Sequence, residues 1–256
     1  MKKYHTCVII LLVLLSSAGC RGKGPKTVNF KNTSESQAVP DTGFTGIKKY
    51  LSGQIVVKEV TFKNGVRQGI TKTYYAGGQL FQTFLYENGM KEDSGRWFYL
   101  EGQLFRTTPY RHDTIDGIQK QFYRTGNIKA KIGYSKGMRT KFFQEFTPEG
   151  KVVGSYPSIL FDAKDEYATR GLYSIKLSLS DRSADARFYR GDFTGERFDT
   201  SKCHIIRPVN GSVMLTLRKS GTSGQNYIGV IAAIPTSFGN KYLEYKKIDL
   251  PYNDLK

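Results

Sequence analysis

The middle of the chain repeats its hydrophobic and polar positions at a fixed step. Four glycines lie 24 residues apart, at Gly78, Gly102, Gly126 and Gly150. An aromatic residue or pair precedes each glycine, and an aliphatic residue follows it by two positions. These positions are Tyr74-Tyr75, Phe98-Tyr99, Phe122-Tyr123 and Phe146, and then Leu80, Leu104, Ile128 and Val152. Agreement of several positions at one spacing predicts an array of structural repeats.

Each unit also carries two turn signals, which predict β-hairpins. One is the glycine of the 24-residue series, and the other is Asn-Gly, as in Asn64-Gly65 and Asn88-Gly89. Asn-Gly favours a two-residue hairpin because both residues tolerate positive φ. The turns leave room for strands of about seven residues. Leu80 and Tyr86 are six residues apart, so we expect them to share one face of an extended strand.

The repeat resembles the MORN family, specifically the variant repeat of bacterial proteins. The matching residues run from Gly69 through Tyr74-Tyr75 and Leu80 to Tyr86-Glu87-Asn88-Gly89. The resemblance covers residues 49–156, although the third unit replaces its second turn with His112-Asp113-Thr114. It implies an elongated meander of hairpins with an interaction role. Some relatives are described as antitoxin or immunity proteins, a function that repeat identity alone does not transfer.

After residue 156 the period stops and shorter alternations follow. Apolar alternations cover residues 172–179, 186–193, 213–217, 227–234 and 242–250, separated by clusters of Gly, Asn, Asp and Ser. Short strands between such turns predict a small β-sandwich. We therefore predict an all-β chain, with β-hairpin repeats over residues 48–156 and a sandwich-like domain over residues 157–256. The sandwich would cover the open end of the repeat sheet.

The N-terminus predicts export and a lipid anchor. Lys2 and Lys3 precede an apolar run over residues 7–15, which is too short to cross a bilayer and typical of a signal peptide. The following Ser17-Ala18-Gly19-Cys20 resembles a bacterial lipobox, in which the cysteine is lipidated, although Leu is usual where Ser17 stands. This predicts a signal peptide over residues 1–19, with lipid attachment at Cys20. An ordinary signal peptide cut near Gly19 remains the alternative.

Residues 20–47 are rich in Gly, Lys, Ser, Thr and Pro, a composition that favours a flexible tether. The expected location is therefore the bacterial cell envelope, as an outer-membrane lipoprotein held to the membrane by its lipid. No acidic run resembling a surface-export signal follows Cys20, so a periplasmic face is favoured over the cell surface.

The excess of positive charge on the chain is the basis for predicting its class of partner. The chain has 39 Lys and Arg against 22 Asp and Glu, and residues 49–156 carry 17 against 9. This excess suits an acidic protein or an anionic envelope polymer, and a merely solubilising surface is the alternative. Nucleic acid is not expected for an exported protein. The predicted binding face combines the cations Arg106, Lys129 and Lys131 with Tyr110 and Tyr134, while packing of the tyrosines in the repeat core is the alternative.

No constellation of residues supports a named reaction. Cys203 and His204 are neighbours on a predicted strand, so they point to opposite faces and form no dyad by themselves. Asp162, Asp165 and Glu166 are expected in a polar loop. We expect no catalytic residue, metal site or cofactor, and an enzyme is the least favoured function. Asp113-Thr114-Ile115 resembles a short O-glycosylation motif of bacterial envelope proteins, which makes Thr114 a candidate modification site.

Three functional hypotheses follow from the sequence. The first is an anchored binding or scaffold module that uses the repeat sheet as its contact surface. The second is an immunity lipoprotein that neutralises a toxin, and the third is an enzyme whose site is assembled across domains.

Overall fold

The computed structural model describes residues 43–209 and 212–256. The predicted signal peptide, Cys20 and nearly all of the predicted tether lie outside these residues. All of the described residues belong to one compact unit. In the part of the chain that the structure describes, no helix is long and apolar enough to cross a membrane.

An antiparallel sheet of eleven strands, the repeat sheet, occupies the first half of the described chain. Its strands are β1 Gly46–Ser52, β2 Ile55–Lys63, β3 Val66–Arg67, β4 Gly69–Tyr74, β5 Leu80–Glu87, β6 Met90–Phe98, β7 Leu104–Arg111, β8 Thr114–Ile115, β9 Gly117–Phe122, β10 Ile128–Ser135 and β11 Met138–Glu145. Nine of them follow chain order across the sheet, while β3 pairs with β2 and β8 with β7. This is the predicted meander of hairpins. The predicted tether boundary at residue 47 falls inside β1.

Both kinds of predicted turn form. Asn88 and Gly89 have φ of 50° and 85°, as a two-residue hairpin requires. His112 and Asp113, which replace Asn-Gly in the third unit, also adopt positive φ, at 47° and 62°. The 24-residue glycine series forms the opposite turns, and the backbone N–H of Gly102 donates to the carbonyl of Tyr99 at 3.0 Å.

The shared face expected for Leu80 and Tyr86 is wrong, because a β-bulge lies between them. Tyr74 pairs with Leu80, whereas the preceding Thr73 pairs with Gln82, so one extra residue interrupts the alternation. The same shift recurs near Leu104 and Ile128. Bulges cannot be inferred from spacing alone, since they change the count between two residues without changing their types.

The C-terminal body, residues 159–256, consists of two four-stranded sheets. Its strands are β12 Ile159–Glu166, β13 Leu172–Leu179, β14 Arg187–Arg190, β15 His204–Ile206, β16 Pro208–Val209, β17 Ser212–Arg218, β18 Tyr227–Pro235 and β19 Lys241–Asp249. A short helix α1, Tyr167–Arg170, and a 3-10 turn, Thr200–Lys202, complete it. One sheet has the order β12-β13-β17-β16 and the other β15-β14-β18-β19. This is the predicted sandwich-like arrangement.

Aliphatic side chains from both sheets form one core. Ile175 and Leu217 of the first sheet and Val230 of the second are all fully buried in the same cluster. Strand β18 is also buried on its other face, where Ile231 packs with Leu243 and partly buried aromatic residues. This double burial explains why residues 227–234 read as an apolar run rather than a strict alternation.

Strand β12 corrects one expectation from the sequence. Asp162, Asp165 and Glu166 were expected in a polar loop, but they lie on this strand, which pairs with β13 along its whole length. Most residues of β12 are exposed because it is an edge strand, so its sequence shows no apolar alternation.

The C-terminal body covers the β11 edge of the repeat sheet. The backbone N–H of Phe198 donates to the carbonyl of Arg139 at 2.7 Å, and the Arg139 guanidinium donates to the carbonyl of Lys241 at 2.9 Å. Phe143 of β11 packs edge-on against Tyr156, which stacks on Tyr242 at 4.5 Å between ring centroids. These contacts join the repeat array to the sandwich.

Candidate binding surface

Tyrosine hydroxyls form hydrogen bonds between neighbouring repeats of the sheet. Tyr75, Tyr99 and Tyr123, which recur at the 24-residue step, donate to backbone carbonyls in the next unit. The acceptors are Phe98 at 2.7 Å, Phe122 at 2.9 Å and Phe146 at 2.7 Å. Each bond reaches 23 residues along the chain, so the repeat is joined by side chains as well as by strand pairing.

One face of the sheet, the aromatic face, carries most of the rings. Phe84 packs edge-on against Trp97 at 5.2 Å and Tyr110 at 5.7 Å. The Arg106 guanidinium lies over the Trp97 ring at 4.1 Å, and the Lys91 ammonium lies 5.6 Å from the Tyr110 ring. Rings and aliphatic stems therefore shield one another, which explains how Trp97 is only 8% exposed on a single sheet.

Arg106 lies deep in this aromatic layer. Burial lowers the pKa of its guanidinium, and the nearby Tyr110 and Tyr134 oppose that shift. Its Nε is buried without a hydrogen-bond partner among the described residues. Arg106 therefore acts chiefly as a packed cation over an aromatic ring.

The residues of the predicted binding face do not all lie together. Arg106, Tyr110 and Tyr134 share the aromatic face, where all three are half-buried. Lys131 pairs with Lys120 and projects from the opposite face, over the Phe146 ring at 5.4 Å. Lys129 lies at a bulge, with its ammonium 5.8 Å from the Tyr123 ring. The five predicted residues are thus divided between two faces and a bulge.

The opposite face, the basic face, presents a straight row of cations. Strand pairing places one residue of each successive strand in a single line across the sheet. The line reads Glu59, Lys72, Thr83, Arg96, Thr107, Lys120, Lys131 and Gln144. Lys72, Arg96, Lys120 and Lys131 form the basic row, and the first three are exposed. Directly opposed residues share a face, so these cations point the same way.

No member of the basic row has a carboxylate within ion-pair distance in the part of the chain that the structure describes, and Glu59, which lies opposite Lys72 at the end of the line, pairs with Lys49 at 3.7 Å. None of its four members takes part in an ion pair with a described residue. Lys120 and Lys131 even face each other directly across β9 and β10, an arrangement that destabilises a sheet unless an anion is present. Neighbouring strands are about 4.8 Å apart, so the row extends over roughly 24 Å.

Exposed apolar side chains flank the basic row. Ile70, Ile118 and Phe142 lie on the same face and are 52%, 45% and 45% exposed. Buried positions of the aromatic face, by contrast, include the polar Thr108 and Gln119, which are hydrogen-bonded to each other at 3.0 Å. The basic face is therefore the side of the repeat sheet that offers both charge and apolar area to a partner.

The other candidate residues form no reactive arrangement. Cys203 is half-buried against the Ile231 cluster, and burial raises the pKa of its thiol, whereas His204 is exposed on β15. His204 lines a groove of about 580 Å³ together with Arg190, Arg207 and apolar side chains. Among the described residues, no group of three or more His, Cys, Asp or Glu could hold a metal ion. Thr114 is exposed at the start of β8, beside the His112-Asp113 turn.

Sequence reasoning missed the basic row, although its signal was present. Lys72, Arg96 and Lys120 recur at the same 24-residue step as the glycines. Lys131 stands outside that step, and only the pairing of β9 with β10 brings it into line.

Comparison with known proteins agrees with this architecture. The family model described as "MORN repeat variant" matches residues 67–88 and 115–136. The two matches begin 48 residues apart, which is two periods of 24. The unit between them contains the His112-Asp113 turn in place of Asn-Gly. No curated protein matches the chain. Two units of the eleven-stranded sheet therefore match the MORN repeat variant.

Proposed function

We propose that the protein is a lipid-anchored binding or scaffold module of the bacterial envelope, which holds an anionic partner on the basic face of its repeat sheet. The observation that carries this proposal is the basic row, in which Lys72, Arg96, Lys120 and Lys131 lie in one line and form no ion pair with a described residue. Cations held in line by a rigid sheet bind a repeating anion with little ordering cost.

The spacing of the row favours a linear anionic polymer over a folded acidic protein. Lys72, Arg96 and Lys120 lie on every second strand, so they are roughly 10 Å apart. Thr83 and Thr107 alternate with them and add hydroxyl groups that donate or accept hydrogen bonds. A chain with charges at regular intervals fits such a row, whereas a folded surface would match it only by a special arrangement of its acids.

The anchor rests on the N-terminal sequence. Cys20 follows a short apolar run in a lipobox-like tetrapeptide, and residues 20–47 supply a tether between it and β1. A single acyl chain binds a membrane only marginally, so a lipobox-type cysteine that carries more than one chain suits stable anchoring. Alkyne fatty-acid labelling of the wild type, with no label and no membrane fraction for Cys20→Ser, is the expected result. Equal labelling of both would contradict the anchor.

Charge reversal on the basic face tests the binding function. The full-length triple variant Lys72→Glu, Arg96→Glu, Lys120→Glu should bind inorganic polyphosphate at least about tenfold more weakly at low salt, because several phosphate contacts are lost together. A matched control reverses three exposed lysines of the C-terminal body, Lys176→Glu, Lys202→Glu and Lys246→Glu, and so changes the net charge equally.

The control variant should bind polyphosphate with nearly the affinity of the wild type, and wild-type binding should weaken steeply as salt is added. Equal loss in both triple variants would show that net charge, and not the basic row, governs binding. Arg106→Gln on the aromatic face should leave affinity unchanged in protein that remains folded. A loss of affinity confined to Arg106→Gln would move the binding surface to the aromatic face.

The immunity hypothesis makes a different prediction for the same surface. A toxin would be bound as a single folded partner, with a defined stoichiometry and with contacts beyond the charged row. Saturable one-to-one capture of an acidic toxin, undiminished in the basic-row triple variant, would favour that function over polymer binding.

A further inference from the structure

A small cavity of about 150 Å³ lies where the repeat sheet meets the C-terminal body. Glu145, the last residue of β11, and Tyr156 line it on the repeat side. Thr236 and Phe238, from the turn between β18 and β19, line it on the other side, and the exposed Asp181 is also part of the lining. Its volume suits a ligand group smaller than a drug-sized molecule.

Glu145 brings an unpaired acceptor to this cavity. The residue is 1% exposed, although it ends an edge strand of a single sheet. Its Oε1 accepts hydrogen bonds from the Thr236 hydroxyl at 2.9 Å and from the Asn240 side-chain amide at 2.7 Å. Its Oε2 is buried without a hydrogen-bond partner among the described residues. A buried carboxylate oxygen is costly unless a donor reaches it, so this atom identifies a position for a ligand donor.

Tyr156 supplies a second unpaired polar atom. Its hydroxyl is also buried without a hydrogen-bond partner among the described residues, and its ring is stacked on Tyr242 at 4.5 Å. Burial, followed by the nearby charge of Glu145, raises the pKa of Tyr156 to about 12. The phenol is therefore neutral at physiological pH, and its oxygen is available as an acceptor.

The cavity has negative charge and aromatic surface but no cation of its own. Lys, Arg and His are absent from its lining, which includes two acids, Glu145 and Asp181. A hydrogen bond from the backbone N–H of Ser183 lowers the pKa of Asp181, so that carboxylate is ionised at neutral pH. The rings of Tyr156 and Phe238 add faces that attract an organic cation.

We propose that this junction cavity binds a primary ammonium group, which donates to Glu145 Oε2 and Tyr156 Oη while Asp181 attracts it electrostatically. An ammonium carries three donors and no acceptor, so it can donate to Glu145 Oε2, to Tyr156 Oη and to a hydroxyl oxygen of the serines that also line the cavity. The group belongs either to a small amine or to a lysine side chain of a peptide. Because the cavity joins the two parts of the chain, occupancy also stabilises their contact.

The test measures the melting temperature of the full-length protein with n-butylammonium, tetramethylammonium or potassium chloride at equal ionic strength. We expect n-butylammonium to raise the melting temperature because it binds the folded chain, while tetramethylammonium, which has no N–H donor, should raise it much less. Equal shifts from all three salts would overturn the proposal. A potassium shift as large as that of n-butylammonium would likewise replace the ammonium site by a simple cation site.

Three variants locate the site. Glu145→Gln keeps an oxygen for Thr236 and Asn240 but removes the charge, so it should weaken n-butylammonium binding by about ten- to a hundredfold. Tyr156→Phe removes a hydroxyl without a described protein partner, so it should fold normally and bind several-fold more weakly. Glu149→Gln, an exposed change on the turn that follows Glu145, is the control and should bind as the wild type does. Undiminished binding by folded Tyr156→Phe or Glu145→Gln would contradict the site.

A second comparison distinguishes a peptide lysine from a free amine as the source of the ammonium group. Nα-acetyl-lysine methylamide presents a lysine side chain with its backbone blocked, whereas n-butylammonium presents the alkylammonium alone. Tighter binding of the lysine derivative would identify a peptide lysine as the ligand, and equal or weaker binding would identify a free amine. If neither compound binds the wild type, the proposal is wrong.

Discussion

The repeat sheet and the C-terminal body stabilise themselves in different ways. The largest fully buried side chains of the C-terminal body are all aliphatic, and they include Ile175, Leu217 and Ile231. In the repeat sheet the corresponding side chains are Val60, Thr108 and Glu145, of which two are polar. A two-sheet sandwich can bury aliphatic groups between its layers, whereas a single sheet relies on rings, stems and hydrogen bonds along its own surface.

This difference explains why one face of the repeat sheet stays accessible to a binding partner. A sandwich turns its apolar side chains inward and leaves alternating polar residues outside. The repeat sheet cannot bury both faces, so the basic face keeps its cations and apolar residues accessible. Its regular units nevertheless hold those groups in register, which is the property that a binding scaffold needs.

The largest expected effect comes from changing the number of residues in the repeat. Deletion of residues 78–101 removes one period and joins Gly77 to Gly102, which occupies the same turn position as Gly78. That variant should keep its β-sheet signal in circular dichroism and its resistance to proteolysis. Deletion of residues 78–89 removes only β5 and its turn, so β4 would be followed directly by β6, which runs parallel to it. Because a short connection cannot join parallel neighbours, this variant should lose the sheet. Equal folding of both would break the repeat interpretation.

The next largest effect is expected from shortening an isoleucine side chain. The loss of stability should be large in the C-terminal body and small in the repeat sheet. Ile175 is fully buried between the sheets of the C-terminal body, so Ile175→Ala should lower the free energy of unfolding by about 2–5 kcal/mol. Ile118→Ala makes the same chemical change at a 45% exposed position of the repeat sheet and should cost less than about 1 kcal/mol. Urea denaturation measures both losses of unfolding free energy, and the dependence of that free energy on urea concentration should be unchanged in both variants. Similar losses at the two sites would contradict the difference in core construction.

The sequence predicts the repeat sheet better than the C-terminal body, and the reason is physical. Gly78, Gly102 and Gly126 are dictated by local turn geometry that recurs in every unit, so they are visible in the sequence itself. Strand β12 has few buried residues, and it forms because β13 offers it a partner. Its position could not be predicted because the alternation that marks a strand requires one buried face.

The basic row and the junction cavity also differ in how far the sequence predicts them. Three residues of the basic row follow the 24-residue period and could have been found from the sequence, but Lys131 enters only through strand pairing. Glu145 was beyond sequence reasoning, because its partners Thr236 and Asn240 lie 91 and 95 residues further along the chain. A contact at that separation has no local signal.

Alkaline pH should weaken the fold through half-buried phenols. The pKa of Tyr74 rises to about 12, mainly through burial and then through its hydrogen bond to Glu59. A raised pKa means that the folded chain binds the proton more tightly than the unfolded chain, whose phenols titrate near pH 10. The stability contributed is therefore intact below pH 10 and is lost as pH rises towards about 12. Urea midpoints at pH 8, 10 and 11 should fall in the wild type and fall less in Tyr74→Phe. A parallel fall in both would exclude a contribution from Tyr74.

The smallest expected effect tests the bond that links one repeat to the next. Tyr99→Phe keeps the ring beneath the Arg124 guanidinium but removes the hydroxyl that donates to the Phe122 carbonyl. It should lower the free energy of unfolding by about 0.5–1.5 kcal/mol, because a net hydrogen bond contributes that much. Tyr50→Phe is the matched control, since that ring is 38% exposed and no described hydrogen bond involves its hydroxyl. It should change stability by less than about 0.5 kcal/mol.

A second substitution then shows whether the linking bonds act as separate contacts or as one ladder. Tyr75 and Tyr123 donate to different carbonyls, so the losses in Tyr75→Phe and Tyr123→Phe should add within about 0.3–0.5 kcal/mol if each bond joins only its own pair of units. A loss in the double variant well beyond that sum would mean that the array unfolds as a single cooperative sheet. No loss in either single variant would contradict a role for the tyrosine hydroxyls and leave strand pairing as the only connection between repeats.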